Sequence, residues 1–287
     1  MAVKNVAVVG SGTMGNGIAH VFALKGYQVL LVDIREDFLQ SALKNIQRNL
    51  DRQVKKEVIT EEMARQTLQR IGTSISLEDC READFVIEAV TEDLKIKRDI
   101  FSLLDPLCKK ETIFATNTSS LSITALAAAT KRPDRFIGMH FMNPVPVMKL
   151  VEVIRGLATS DHSCQLVFEL TRQLQKEPVE VNDYPGFISN RILMPMLNEA
   201  IFCLMEGVAS KESIDTVMKL GMAHPMGPLE LADFIGLDVC LAIMEVLYQG
   251  FRDSKYRPCP LLVRMVSAGY LGRKTGKGFY DYPNEKK

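Results

Sequence analysis

The sequence predicts an α/β fold, a doubly wound parallel sheet followed by a smaller domain built only of helices. Three observations carry this expectation. Short β-branched runs alternate with helix-period segments through the first half of the chain. A glycine-rich turn joins the first such run to the first helix, and beyond Pro185-Gly186 the β-branched runs cease.

Taken in order, "VKNVAVVG" is the first strand, Met14 to Lys25 the first helix, and "YQVLLVD" a second strand ending at Asp33. Further strands fit "FVIE" (85–88), "TIFAT" (112–116) and Phe136 to His140. Residues 36–70 are too many for a plain connection. Within them Phe38, Leu39, Ala42, Leu43, Ile46 and Leu50 recur at helical spacing, so a helical hairpin inserted into the first domain is expected. Past the Pro185-Gly186 break the chain reads as helix. Phe187 to Gly207 is apolar on more than one face, with Pro195 as a kink. A helix apolar nearly all round is buried, and in a small helical domain that points to a subunit interface. The expected domains are residues 1–185, including the hairpin, and 186–287.

Composition narrows the function. With 287 residues, 47% hydrophobic and 24% charged, the chain has ample material for a core. A formal net charge of zero gives no footing for nucleic acid or an anionic membrane. No apolar run reaches transmembrane length. "MAVKNVAVVG" enters a strand pattern with no charged leader, so a cytoplasmic protein is expected. The six cysteines are scattered without a C-x-x-C, which reads as buried thiols in a reducing compartment and offers no metal site.

"VAVVGSGTMGNGIAH" sets Gly10, Gly12 and Gly15 in a G-x-G-x-x-G between a strand and a helix. Gly10 allows the tight turn, Gly12 a close approach of backbone to a pyrophosphate, and Gly15 close helix–strand packing. Thr13 and Met14 complete the loop, with the helix N-terminus facing the anion. Asp33 ends the next strand eighteen residues after Gly15. A carboxylate there accepts from a ribose 2′-hydroxyl and repels a 2′-phosphate, which favours NAD over NADP. Arg35 lies close behind and tempers that preference. The competing account is a glycine-rich turn in some other α/β protein. "GRKTGKGFY" near the C-terminus is not a P-loop, since Lys277 is followed by Gly278 where a P-loop needs Ser or Thr.

A bound nicotinamide leaves a proton for the protein to handle, and histidine suits one that moves near neutral pH. Of four histidines only His140 falls at the carboxyl end of a parallel strand, the edge where open α/β sheets hold ligands. Glu152 sits twelve residues on, inside an apolar run, after prolines at 144 and 146 that force an extended turn. That turn allows a following strand to return beside His140, so that Glu152 accepts from Nδ1. A buried salt bridge to Lys149 or Arg155, or a solvated edge carboxylate, remains equally open on spacing alone. In "ATNTSSLSI", Asn117, Ser119 and Ser120 suit a substrate oxygen, while Ser120 or Ser122 equally suits a helix cap. Asn190, in "GFISNR", falls just past the domain break.

Together "VAVVGSGTMGNGIA", "ATNTSSLSI", "GMHFMNPVPVMKLVEVI", "PGFISNRILMPMLNEA", "KLGMAHPMGPLELADFIGLD" and "GRKTGKGFYDY" resemble the 3-hydroxyacyl-CoA dehydrogenase family over the whole chain. The resemblance is strongest to its short, stand-alone bacterial members. It implies a Rossmann-like domain, a helical domain that dimerises, and NAD-dependent interconversion of 3-hydroxybutyryl-CoA and acetoacetyl-CoA in fatty-acid or butyrate metabolism. It makes His140 the catalytic base and Glu152 its partner, with Ser119 and Asn190 holding the substrate oxygen. It sets Asp33 against the adenosine ribose and Glu92, Lys97, Ser119, Asn143 and Lys274 against the rest of the dinucleotide. In the hairpin it sets Asn49 and Lys56 against coenzyme A, whose phosphates also suit Arg52 and Lys55; a solvated basic helix face accounts equally for that group. Other readings are a free hydroxy-acid dehydrogenase, which usually depends on a lysine base, and a non-catalytic NAD-binding homologue.

Overall fold

The computed structural model describes residues 3–282. The chain divides after Tyr184 into two compact units. The first begins with β1 (Asn5–Val9), α1 (Thr13–Leu24) and β2 (Gln28–Val32). The hairpin α2 (Glu36–Lys55) and α3 (Glu61–Gln69) follows, then β3 (Ile71–Ser74) and β4 (Phe85–Glu88). Next come α4 (Leu94–Leu107), β5 (Ile113–Thr116), α5 (Ile123–Ala127), β6 (Phe136–Phe141) and β7 (Leu150–Arg155). The unit closes with α6 (Asp161–Gln173) and β8 (Glu177–Asn182).

These strands form one sheet in the order β3-β2-β1-β4-β5-β6-β7-β8. Every neighbouring pair is parallel except β6 and β7. The chain moves outward from β1 in one direction and from β4 in the other. The crevice between their carboxyl ends is therefore the switch point at which open α/β sheets bind ligands. β4 and β5 are buried along their whole length, as expected of strands covered on both faces. Two strands escape the sequence pattern. "IGTS" of β3 is short and carries a glycine, and "EPVEVN" of β8 contains Pro178, which an edge strand tolerates.

The hairpin expected over 36–70 is present. α2 buries Leu39, Ala42, Ile46 and Leu50 on one face, in the same core as Ile18 and Phe22 of α1. Glu36 and Asp37 lie in its first turn and Arg52 and Lys55 in its last, which matches the helix dipole. Thr60 caps α3 by accepting from Met63 N.

The second unit holds α7 (Ser189–Met205), α8 (Lys211–Thr216) running into a π-helical segment (Val217–Gly221), α9 (Pro228–Ile235), α10 (Leu237–Phe251) and α11 (Pro260–Ser267). Its own core includes Leu197, Ile201, Leu229, Leu237, Met244 and Leu262. α7 contains Pro195, and one chain leaves part of this segment uncovered: Ile192 is 68% exposed and Ile188, the N-cap residue, 45%.

"GRKTGKGFY" proves to be a wrapping turn. Asp233, buried in α9, accepts from the backbone N–H groups of Phe279 and Tyr280 and from the Tyr282 hydroxyl. A Cβ on Gly278 would sit 1.9 Å from the Asp233 carboxylate, so only glycine allows this approach. Burial raises the Asp233 carboxyl above its ordinary range, against those hydrogen bonds. Five of the six cysteines are buried and all are free thiols; desolvation pushes Cys80 up to about 12 and Cys108 to about 11, which leaves them inert.

Candidate active site

Four loops or strand ends meet along the carboxyl edge of the sheet. The first follows β1. Gly10 turns with φ +100°, and a Cβ there would meet Ala89 at 2.7 Å. A Cβ on Gly15 would strike the Gly10 carbonyl oxygen at 1.7 Å, whereas one on Gly12 would meet nothing within 4 Å. Gly10 and Gly15 thus serve packing, and Gly12 faces open space. Gly12 is also the N-cap of α1, with no side chain capping the helix and no acid in its first turn. The positive helix end is left for an anion. Gly10, Ser11, Gly12, Thr13, Asp33 and Ala89 are among the residues lining a cavity of about 610 Å³. Met14 and Gly15 do not line it.

Asp33 enters this cavity already engaged. Its Oδ2 accepts from Ser11 N at 2.7 Å and Ser11 Oγ at 2.6 Å, and its Oδ1 from Ile34 N at 2.7 Å. These bonds fix the carboxylate at the lip of the pocket. Arg35 is paired with Asp37, Nε to Oδ1 at 2.8 Å, and lies over the Phe38 ring.

The second and third loops follow β4 and β5 and are joined by charge. Lys97 is 1% exposed; its Nζ donates to Glu88 Oε1 at 2.7 Å and pairs with Glu92 Oε2 at 3.3 Å. Glu88, itself fully buried, accepts from Thr116 Oγ1 at 2.7 Å and Val90 N at 2.6 Å. Glu92 Oε1 accepts from Thr118 Oγ1 at 2.5 Å, Ser119 N at 2.8 Å and Ser119 Oγ at 3.1 Å. Burial pushes the Glu88 carboxyl up despite Lys97. For Glu92 burial works the same way, but the Lys97 ammonium and the Thr118 and Ser119 donors outweigh it and hold the carboxyl down. The family resemblance set Lys97 against the dinucleotide; here the ammonium is buried among carboxylates and bears on the site by holding Glu92 and Val90. Asn117 Oδ1 accepts from Phe141 N at 2.9 Å, so this side chain ties β5 to β6. Ser122 caps α5, accepting from Ala125 N.

The fourth element is β6. His140 and Glu152 are directly opposed in the antiparallel β6–β7 pair. His140 Nδ1 donates to Glu152 Oε2 at 2.8 Å, with His140 8% and Glu152 2% exposed. A carboxylate accepts only, so the neutral ring carries its proton on Nδ1 and presents Nε2 as a lone pair. A histidine held in this way can serve as a general base.

The 3-hydroxyacyl-CoA dehydrogenase NAD binding domain model matches residues 5–184, and the C-terminal domain model of the same family matches residues 186–282. The chain belongs to the 3-hydroxyacyl-CoA dehydrogenase family. It is 56% identical to the probable 3-hydroxybutyryl-CoA dehydrogenase of Bacillus subtilis, over 98% of both chains. It is 57% identical to the 3-hydroxybutyryl-CoA dehydrogenase of Bradyrhizobium diazoefficiens, over 99% of this chain and 97% of that one. The crystal structure of (S)-3-hydroxybutyryl-CoA dehydrogenase from Ralstonia eutropha is similar with a TM-score of 0.96 and 53% identity, over 99% of this chain and 100% of that one. The 3-hydroxyacyl-CoA dehydrogenases are oxidoreductases acting on CH–OH groups, and the first domain is of the NAD binding type.

The remaining residues that the resemblance assigns in this 3-hydroxyacyl-CoA dehydrogenase family member fall in three places. Asn143, Asn49 and Arg52 line a second cavity of about 230 Å³, with Arg48, which the sequence reading passed over. Lys56 caps the end of α2, is exposed, and does not line that cavity. Asn190 is half-buried in the first turn of α7, and Lys274 pairs with Asp238, both in the helical unit. Glu88 was also missed. Its signal was present in "FVIE", a carboxylate inside a strand that the sheet buries on both faces.

Proposed function

We propose that this protein interconverts acetoacetyl-CoA and (S)-3-hydroxybutyryl-CoA with NAD(H). The observation that carries the reading is the His140–Glu152 pair at the ligand edge of the sheet, beside an uncapped glycine-rich helix end. Gly10, Gly12 and Thr13 would cradle the dinucleotide pyrophosphate and Asp33 the ribose, and the vacant space at Gly12 fits that use. When bound, the nicotinamide supplies the two-electron half of the reaction.

The chain's own residues handle the proton and the oxygen. In oxidation Nε2 of neutral His140 takes the 3-hydroxyl proton, and Glu152 stabilises the imidazolium that results. In reduction Nε2 returns the proton to the developing alkoxide. Ser119 and Asn190 stabilise the substrate oxygen as its charge changes. Glu92, Lys97, Asn143 and Lys274 shape the remainder of the dinucleotide site, and Arg48, Asn49, Arg52 and Lys56 offer donors and charge to coenzyme A.

NAD is preferred over NADP, because Asp33 would oppose a 2′-phosphate and Arg35, the near cation, is neutralised by Asp37. The protein works as a homodimer through its helical domain, a reading supported by the exposed Ile192 on α7 and Ile188 just before it. Its location is the cytoplasm; no helix among the described residues is long and apolar enough to cross a membrane. Initial rates of NADH oxidation with acetoacetyl-CoA, longer 3-ketoacyl-CoAs and free acetoacetate test the reading. Turnover should require the CoA moiety; equal rates with free acetoacetate would overturn it.

A further inference from the structure

We propose that Lys176 is a positioning residue that clamps the turn from Asn143 to Met148 and so sets the wall of the acyl-CoA end of the site. This rests on the functional reading above for the identity of the substrate, but not for the clamp itself.

Lys176 immediately precedes β8 and is 8% exposed. Its Nζ donates to Val145 O and to Met148 O, both at 2.6 Å. Among the described residues no carboxylate pairs with it. A buried ammonium held only by carbonyl groups is costly to desolvate, and that burial alone lowers Lys176 to about 8. Neither bond serves a regular element; both end on the turn between β6 and β7.

The turn is gripped from its other side as well. Val145 is 2% exposed and packs on α1, where a Cβ added to Gly17 would lie 2.8 Å from the Val145 Cβ. Val147 N and Met148 N both donate to Pro144 O at 3.0 Å, which closes the turn on itself. Glu177 N donates to Lys149 O at 2.8 Å, so β8 holds the turn's exit too. The start of β8 is itself anchored to the body of the unit, through Lys176 N to Thr171 O at 3.1 Å and Lys25 Nζ to Gln175 Oε1 at 2.6 Å.

The held turn matters because of what it faces. Asn143, Pro144, Val145 and Pro146 form one wall of the second cavity, and Arg48 and Arg52 of α2 belong to the facing wall. The same turn separates His140 from Glu152 and lets β7 return in register. Without the ammonium, the buried Val145 carbonyl and the partly buried Met148 carbonyl would both lose their donor, and the turn would loosen toward water. Displacement of a positioning wall by about 1 Å is enough to cost large factors in catalysis.

The test compares Lys176→Met, which keeps the length and removes the donors, with Gly17→Ala, which pushes the turn from the opposite face. Three quantities are measured on each full-length variant: binding of ADP-ribose, steady-state KM and kcat with acetoacetyl-CoA, and amide hydrogen exchange at Val147 and Met148. ADP-ribose probes only the cavity around Gly12 and Asp33, and its affinity should not change. KM for acetoacetyl-CoA should rise by about tenfold or more, and the Val147 and Met148 amides should exchange faster while that of Ala89 does not. Unchanged KM and unchanged exchange at those two amides would overturn the clamp. So would a variant that loses folded protein while its remaining molecules keep wild-type KM and exchange. If the wild-type protein does not turn over acetoacetyl-CoA, the substrate reading fails, and the exchange arm alone decides the clamp. Should Lys176→Met not fold, Lys176→Gln, which retains a donor on a shorter side chain, takes its place; KM and exchange at the two amides should then rise by less, and no rise in either would overturn the clamp.

Discussion

His140 on β6 and Glu152 on β7 occupy directly opposed positions of an antiparallel pair, and their side chains meet at 2.8 Å on the same face of the sheet. Opposed residues in such a pair have their Cβ atoms within reach of each other whatever their separation in sequence. A register slip of one residue would turn the two side chains to opposite faces. The pairing is therefore set by the backbone ladder.

Replacing His140 by Gln removes the proton acceptor but leaves the glycine loop and Asp33 untouched. We expect kcat to fall by about 10²–10⁴-fold with NADH affinity nearly unchanged. Stopped-flow turnover beside NADH titration by fluorescence checks this, and a variant retaining most of its activity would remove His140 from the chemistry.

Glu152→Gln makes a sharper point. The new amide can donate to Nδ1, which favours the tautomer with its proton on Nε2 and blocks that atom as a base. The expected loss in kcat is on the order of 10²-fold or more. Glu152→Asp, which keeps an acceptor, should recover part of it. Equal activity of the Gln and Asp variants would refute the orienting role.

Asp33 is held by Ser11 and Ile34 at the lip of the cavity. A hydrogen bond to a charged acceptor contributes roughly 1.5–3 kcal/mol. Asp33→Ala should therefore raise KM for NADH by about tenfold or more and narrow the preference over NADPH. The ratio of kcat/KM for the two cofactors is the measurement, and an unaltered ratio would count against the assignment.

His20 gives a pH prediction outside the site. It is fully buried in α1; its Nε2 lies 3.3 Å from Gln53 Nε2, and its Nδ1 has no hydrogen-bond partner among the described residues. Burial lowers it from 6.5 to about 4. The folded state thus refuses a proton that the unfolded chain accepts below about 6.5. The stabilisation from the neutral ring is complete above that pH and is lost as pH falls toward about 4. Between pH 7 and 4.5 the loss is roughly 2–3 kcal/mol. Denaturant unfolding of wild type and His20→Leu at both pH values should show a smaller acid drop in the variant. Parallel curves would mean that other groups carry the acid sensitivity.

Much of the fold was legible in the sequence. The strands at 85–88, the hairpin over 36–70 and the glycine loop follow from local rules of periodicity and turn chemistry, which act within a few residues. β3 and β8 were not legible, because a four-residue strand with a glycine and an edge strand with a proline carry no periodicity of their own. Likewise Phe187 to Gly207 reads as apolar all round, yet a single chain covers only part of it.

What the sequence determined by itself, then, is the set of chemical groups and the edge of the sheet on which His140 stands. Residue type and strand direction are local properties, and they suffice for that. Only the tertiary structure decided which of three accounts of Glu152 holds, because a cross-strand contact depends on register. It also buried Lys97 between Glu88 and Glu92, and it tied the Asn117 Oδ1 to the Phe141 backbone. Such partners come from different strands and loops. Their choice is made by the geometry of packing, where an unpaired buried charge or amide would cost more than the contact that satisfies it.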